Sequence, residues 1–412
     1  MKLLTFLGTG NYQPTSYVWG EKAYTTRFSP VAAYHFLQPG EIFLFLTKDA
    51  EPQGNELSQE LPPQVLVHLK YIPLGKNESE LWQIFSDVSD CVDPGDEIAF
   101  DVTHGLRHLP MLGLLAAAFL RAGFSVDLRA VLYGAFDVGR QVSPGQTPVF
   151  DLTPLLTLLE WAIAADRFNR TGDARYLSSL VGQRRKQMAE QAGGNHSLLE
   201  QVGRLNNLAG ALTEISQALH LLRPDLAMSS VARLPDYIEK ARPALVQSEG
   251  IEPFARLLDS IQTSYQPLAH PSPQQPETLR ETLLAERRMV GWYIERELWV
   301  QAVSLAREWL LSWVMFQLGL TYLNRLENRQ YVERTLGAEA EAFLNAKRNG
   351  QTHQSVFLRN LPELEQALSL WSSITKVRND VDHAGKREDP ADPKSLQENI
   401  KSLYEHLKNL PV

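Results

Sequence analysis

The rhythm of apolar positions changes once along this chain, near residue 152. Up to that point, short runs rich in β-branched and aromatic residues alternate with stretches whose apolar positions recur every three to four residues. The short runs predict strands over residues 2–7, 16–19, 23–26, 41–47, 65–72, 97–102 and 125–133, with a Gly-Glu-Lys turn joining the second and third. Between them the spacing predicts helices over 31–37, 78–91 and 107–121, the first opened by Ser29 as N-cap and Pro30 in the first turn. Such alternation implies a mostly parallel, doubly wound sheet covered on both faces. Beyond residue 152 only the helical rhythm remains, over 153–169, 174–192, 197–222, 253–265, 277–320, 331–346, 361–382 and 393–409. Two domains are expected, an α/β domain at 1–152 and an all-α domain at 153–412. The proline-rich stretch 266–276 is expected to be an exposed connector.

Composition narrows the classes without choosing among them. The 412 residues are 44% apolar and 21% charged, ordinary for a soluble protein of two or three domains. A single cysteine, Cys91, excludes an intramolecular disulfide and suits a reducing cytoplasm, the expected location. A structural zinc site is equally disfavoured, and no metal is expected. The opening apolar run ends at Leu7, too short for the core of a secretion signal, and the longest apolar stretch, 109–120, has about a dozen residues where a bilayer needs roughly 20. No membrane partner is expected. A net charge of −8 argues against a high-affinity duplex-DNA binder, whose electrostatics need a basic surface. It leaves room for an enzyme that touches a few nucleotides through local clusters such as Arg184-Arg185-Lys186 and Lys386-Arg387.

Candidate chemistry concentrates near the end, in Arg378-Asn379-Asp380-Val381-Asp382-His383-Ala384-Gly385. An imidazole beside a guanidinium and a carboxamide can handle the proton of a ribose 2′-hydroxyl. The same set can stabilise the phosphorane that forms when that oxygen attacks its own phosphate. At about 100° per helical residue, Asn379 and His383 share a face, while Arg378 and His383 diverge by roughly 140°. Gly385 is a helix-stop signal that puts His383 in the last turn, where a protonated imidazole can act as general acid. A second reading stands beside this one: Arg378 and Asp382 form a solvated ion pair four residues apart, and His383 only caps. The same letters recur in Arg348-Asn349-Gly350-Gln351-Thr352-His353. Gly350 interrupts that copy, which is expected to be a silent inter-helix loop with no fixed geometry.

Open parallel sheets bind ligands at the carboxyl ends of their strands, where strand order reverses. Two segments fall there. Gly8-Thr9-Gly10-Asn11-Tyr12 follows the first strand, and its glycines let backbone N–H groups approach a phosphate. Asp101-Val102-Thr103-His104-Gly105-Leu106-Arg107-His108 leaves the strand at 97–102. Thr103 is expected to cap the following helix, with Arg107 and His108 in its first turn, an arrangement that suits a bound anion. The competing reading is a partly exposed turn with Arg107 paired to Asp101. Neither a phosphate-binding Gly-Lys-Ser/Thr loop nor a ribose-binding acid after the second strand is present.

Taken together, the strand ending Gly-Thr-Gly-x-Tyr, the strand reading Asp-x-Thr-His-Gly-x-Arg and the terminal Arg-Asn-x-x-x-His followed by Ala-Gly resemble the CRISPR-associated CARF–HEPN ribonucleases that act beside type III interference complexes. The specific parts are 101–107 and 378–385, whereas 170–300 matches only in being helical. The resemblance implies a Rossmann-like CARF domain followed by an all-α HEPN domain, each pairing in a homodimer or higher homo-oligomer. It implies that Gly8, Thr9, Gly10, Asn11, Thr103, His104, Gly105 and Arg107 contact a cyclic oligoadenylate activator, expected to be cyclic tetra-adenylate, and that no other cofactor is needed. Arg378, Asn379 and His383 would then form a metal-independent endoribonuclease site for single-stranded RNA. The carboxylates Asp380 and Asp382 depart from the family's pattern, and their negative charge would either weaken RNA binding or raise the pKa of the histidine. Two alternatives remain: a non-catalytic cyclic-nucleotide sensor, and a ring nuclease that degrades the activator in the first domain.

Overall fold

The structure, a computed structural model, describes residues 1–142, 145–246, 252–320, 326–355, 358–386 and 389–412. The chain divides into two compact units, Met1–Leu159 and Glu160–Val412.

In chain order the first unit contains β1 (Lys2–Leu7), β2 (Thr15–Trp19), β3 (Lys22–Thr26), α1 (Ser29–Leu37), β4 (Glu41–Leu46), α2 (Glu51–Glu60) and β5 (Leu66–Tyr71). There follow α3 (Glu78–Ser89), β6 (Glu97–Asp101), α4 (Leu109–Gly123), β7 (Asp127–Gly134), α5 (Phe136–Val142), β8 (Gln146–Asp151) and the start of α6 (Thr153–Thr171). Among the described residues the strands form one eight-stranded sheet in the order β3-β2-β8-β7-β6-β1-β4-β5. The run from β7 to β5 is parallel, as is β2 with β8, while β2–β3 and β7–β8 are antiparallel. The sheet is thus mixed. The expectation of parallel pairing holds for its centre, and the short α5 returns the chain antiparallel at β8.

Side chains alternate across this sheet with period two. Leu4, Phe6, Phe45 and Phe100 face Leu109, Ala116 and Leu120 of α4 and Ile84 and Val88 of α3. Leu3, Leu7, Leu44 and Ala99 face Val31, Ala32 and Phe36 of α1 and Leu57 of α2. Each fully buried leucine or phenylalanine contributes about 1.5–3 kcal/mol, so both faces hold the strands in register. Two helix starts differ from expectation. Phe28, not Ser29, is the N-cap of α1, because the Ser29 hydroxyl donates to Asp101 instead. α4 begins at Leu109, leaving Arg107 in the preceding turn.

The second unit is helical throughout its described residues. It holds the rest of α6, then α7 (Arg175–Ala192), α8 (His196–His220), α9 (Pro224–Val246), α10 (Glu252–Tyr265) and α11 (Leu279–Glu295). α12 (Trp299–Gln317), α13 (Leu326–Arg348), α14 (Leu364–Asp382) and α15 (Pro393–Lys408) complete it. The single helix expected over 277–320 is two: the chain turns after Glu295, with Glu297 at φ 58° and the Leu298 N–H donating to the Tyr293 carbonyl at 2.9 Å. The stretch 266–276 is the expected exposed connector only in part: Gln266, Pro267, Pro271, Gln274, Gln275 and Pro276 are exposed, but its other residues pack into the unit. Leu268 and His270 are buried, the His270 N–H donates to the Met228 carbonyl at 3.1 Å, and Thr282 Oγ1 donates to the Pro273 carbonyl at 2.8 Å. No helix among the described residues is long and apolar enough to cross a membrane.

Candidate functional site

β1 lies between β6 and β4, all parallel, and the chain leaves β1 toward one side and later returns on the other. This is the switch point at which α/β sheets bind ligands. The loops after β1 and β6 meet there, so closely that a Cβ on Gly8 would lie 3.6 Å from the Gly105 Cα. Gly8, Thr9, Gly10, Asn11, Thr103, His104, Gly105 and Arg107 are therefore brought together at one end of the sheet.

Asp101, only 1% exposed, organises the junction. Its Oδ2 accepts from Thr5 Oγ1 at 2.9 Å and from Ser29 Oγ at 2.6 Å, and its Oδ1 accepts from the Thr103 N–H at 3.1 Å and Thr103 Oγ1 at 2.5 Å. Thr103 Oγ1 in turn accepts the Gly134 N–H at 2.8 Å, so Thr103 links β6 to β7 and does not cap α4. Arg107 makes no ion pair with Asp101; it is exposed and unpaired among the described residues.

His104 is partly buried, lies against Tyr12 with ring centroids 4.1 Å apart, and accepts the Ser29 N–H on Nε2 at 3.0 Å. Burial holds its pKa down to about 4, against the opposing pull of Asp101 and the Arg27 carbonyl. It is therefore neutral near pH 7, and the cationic part of an anion site falls to Arg107. The Tyr12 hydroxyl accepts the Gly8 N–H at 3.0 Å and folds the first loop back on itself. Gly105 sits at φ 122°, and a Cβ there would meet Leu109 at 3.1 Å and Phe6 at 3.2 Å, which explains glycine at this position. Thr5, Tyr12, Ser29 and Asp101 were not among the expected site residues. A threonine in an otherwise apolar buried strand was the one available signal for Thr5.

In the second unit, α14 buries Ala367, Leu368, Leu370, Trp371, Ile374 and Val377, and this apolar stripe anchors its last turn. His383 is the C-cap, its N–H donating to the Asn379 carbonyl at 3.1 Å. The helix closes through the Gly385 N–H on the Asp380 carbonyl at 3.2 Å, with Ala384 at φ 52° and Gly385 at φ 69°. His383 is exposed and Arg378 and Asn379 are partly exposed. Arg378 Nε meets Asp382 Oδ2 at 2.7 Å. The ion pair and the cap of the second sequence reading are thus both present, on residues that solvent reaches. Asp380 does not flank the exposed set as expected. It is 8% exposed and turned inward, its Oδ2 accepting the Ala391 N–H at 3.1 Å. Arg387, of the expected Lys386-Arg387 cluster, lies outside the described residues.

The earlier Arg–His copy has a definite geometry, contrary to expectation. Gly350 at φ 66° ends α13, the Gln351 N–H donates to the Ala346 carbonyl at 2.8 Å, and His353 Nε2 contacts Glu339 Oε2 at 2.7 Å. A carboxylate partner holds this imidazole, and Arg348 belongs to the helix before it.

Comparison with known proteins draws attention to the middle of the chain. Residues 157–268 match the family model for the second domain of CRISPR-associated protein MJ1674. CRISPR-associated protein MJ1674 of Methanocaldococcus jannaschii is 30% identical over 158 residues, which cover 38% of this chain and 23% of the relative. This chain therefore spans less than a quarter of that relative's length. The model match covers the helices from α6 to α10, the stretch expected to be alike only in being helical. By these matches, residues 157–268 are similar to the second domain of CRISPR-associated protein MJ1674.

Proposed function

We propose that this protein is a CRISPR-associated endoribonuclease of the CARF–HEPN kind, which cuts single-stranded RNA without a metal once a cyclic oligoadenylate binds its first unit. The observation that carries the reading is the solvent-accessible Arg378, Asn379 and His383 at the end of a helix anchored by a buried apolar face. The switch-point loops support the gating half: an exposed arginine, two glycines in close approach and a neutral, fixed imidazole suit a phosphodiester ring. Exposed Met111, Leu115 and Phe119, spaced four apart on α4, give the first unit an apolar face that suits pairing with a second copy. The similarity to a CRISPR-associated protein supplies the biological setting.

In the proposed reaction the ribose 2′-hydroxyl gives its proton to solvent water as its oxygen attacks the adjacent phosphorus, the bond to the 5′-oxygen breaks, and His383 donates the proton that the leaving oxygen takes up. Arg378 balances charge on the phosphorane. Products end in a 2′,3′-cyclic phosphate and a 5′-hydroxyl, and DNA, lacking the attacking oxygen, survives. A fluorescent RNA reporter, incubated in EDTA with cyclic tri-, tetra- or hexa-adenylate, tests the proposal. Wild type should cut with one of the rings and His383→Ala should lose at least about 100-fold of that activity. Undiminished cutting by the variant refutes the assignment. The Arg378–Asp382 pair favours a second reading, a non-catalytic sensor, which predicts no cutting by either protein.

A further inference from the structure

The loop after β1 is closed by one of its own side chains. The Tyr12 phenol oxygen accepts the Gly8 N–H at 3.0 Å and lies 3.2 Å from the Gly8 carbonyl, to which it donates. The ring rests against the His104 imidazole at 4.1 Å and edge-on to Phe28 at 5.8 Å, centroid to centroid. It also crowds Gly10, where a Cβ would sit 3.1 Å from Tyr12 Cε1. Gly8 and Gly10 are the glycines whose N–H groups are open to a phosphate in the sequence, and a side-chain oxygen already stands at the first of them. Burial pushes the phenol's pKa up, against the pull of the Gly8 and Gly10 backbone, so the group is neutral near pH 7. A neutral acceptor is the weaker competitor, because hydrogen bonds to a charged oxygen are roughly twice as strong. Thr9, Gly10, Asn11, Gln13 and Pro14 are exposed and Tyr12 is only partly buried, so the ring has a path to solvent.

We infer that Tyr12 is an internal plug of the switch-point site: its hydroxyl occupies the donor that a ligand phosphate needs, and binding requires the ring to leave its place against His104. The plug rests on the proposed cyclic-oligoadenylate reading for the identity of the ligand, whereas its own chemistry asks only for a phosphate oxygen. Since the closed loop excludes the ligand, apparent affinity is reduced in proportion to the fraction of molecules that are open. Tyr12→Phe deletes the oxygen and leaves the Gly8 N–H without its acceptor, which weakens the closed loop alone and shifts the population toward the open one.

Calorimetric titration of the full chain, wild type and Tyr12→Phe, with cyclic tetra-adenylate and separately with pyrophosphate tests the plug. The variant should bind a probe at least about 5-fold more tightly than wild type, the factor that one hydrogen bond lost from the closed loop gives. A tyrosine that merely orders the loop predicts the opposite, weaker binding once its hydroxyl is gone. A second measurement uses wild type labelled with 3-fluorotyrosine, in which the Tyr12 fluorine resonance is identified by its loss from the variant. Saturation with the bound probe should move that resonance to the position of a solvent-exposed tyrosine. Equal or weaker binding of both probes by the variant, or a Tyr12 resonance that stays in place while a probe binds, overturns the inference, and leaves the activator reading intact if the ring still binds. Tighter binding of pyrophosphate by the variant, where neither protein binds the ring, keeps the plug and removes the activator reading.

Discussion

The backbone N–H of Ser29 donates to His104 Nε2 at 3.0 Å, tying the first residue of α1 to the loop after β6 through an imidazole that must stay unprotonated. Burial keeps it so, holding the pKa at about 4 against the ordinary 6.5. Between those values the unfolded chain binds a proton that the folded chain refuses, so this group makes stability rise with pH across that window. Its contribution is complete above about pH 6.5 and is lost as pH falls toward 4. We expect His104→Gln to flatten the pH dependence of urea unfolding by on the order of 1–3 kcal/mol between those limits. An unchanged slope in the variant would refute this account of the loop.

Arg107 differs from His104 in being exposed and unpaired, so its removal should separate binding from folding. Arg107→Ala is expected to weaken cyclic tetra-adenylate binding about 10–100-fold, as loss of a charged contact to phosphate does, and to leave stability within about 0.5 kcal/mol. Titrations at increasing salt should show a shallower dependence in the variant, because one screened charge pair is gone. Equal affinities of the two proteins would place the anion elsewhere.

What the sequence made legible follows from where each element's stability originates. β1, β4 and β6 are buried on both faces and read as continuous apolar runs. β8, by contrast, has Pro148 in its middle and polar ends, and is a strand because β2 and β7 pair with it. α2 buries only Gly54 and Leu57 and so shows no stripe. α9 runs through Pro235 and Pro243, which local rules take as helix breaks, and is held by buried Met228, Val231, Leu234, Ile238 and Ala241. At the site, glycines and cations after apolar strands were visible locally. The bonds from Thr5 and Ser29 to Asp101 were not, since their partners lie 96 and 72 residues away in the chain.

In the proposed nuclease the Arg378–Asp382 pair would bear directly on turnover. Both side chains are more than a third exposed, at 40% and 35%, so the pair stabilises α14 by no more than about 0.5 kcal/mol. A guanidinium that must face a phosphate has to leave that carboxylate first. Asp382→Asn is therefore expected to raise activator-saturated RNA cleavage about 2–3-fold while lowering stability by less than about 0.5 kcal/mol. A fall in cleavage would show that Asp382 orients Arg378 for the reaction.

The end of α14 carries a strain that a single substitution should relieve. Ala384 is held at φ 52°, a left-handed conformation that costs a residue with a Cβ about 1 kcal/mol, and its side chain is exposed. Ala384→Gly should raise stability by about 0.5–1 kcal/mol after the added flexibility of the unfolded chain is counted, visible as a higher Tm. Gly385→Ala, at φ 69°, should lower stability by a similar amount. Because the His383 N–H keeps its bond to the Asn379 carbonyl in the glycine variant, cleavage should persist there. A stabilised but inactive Ala384→Gly protein would mean that the strained turn itself holds the His383 ring in its working orientation.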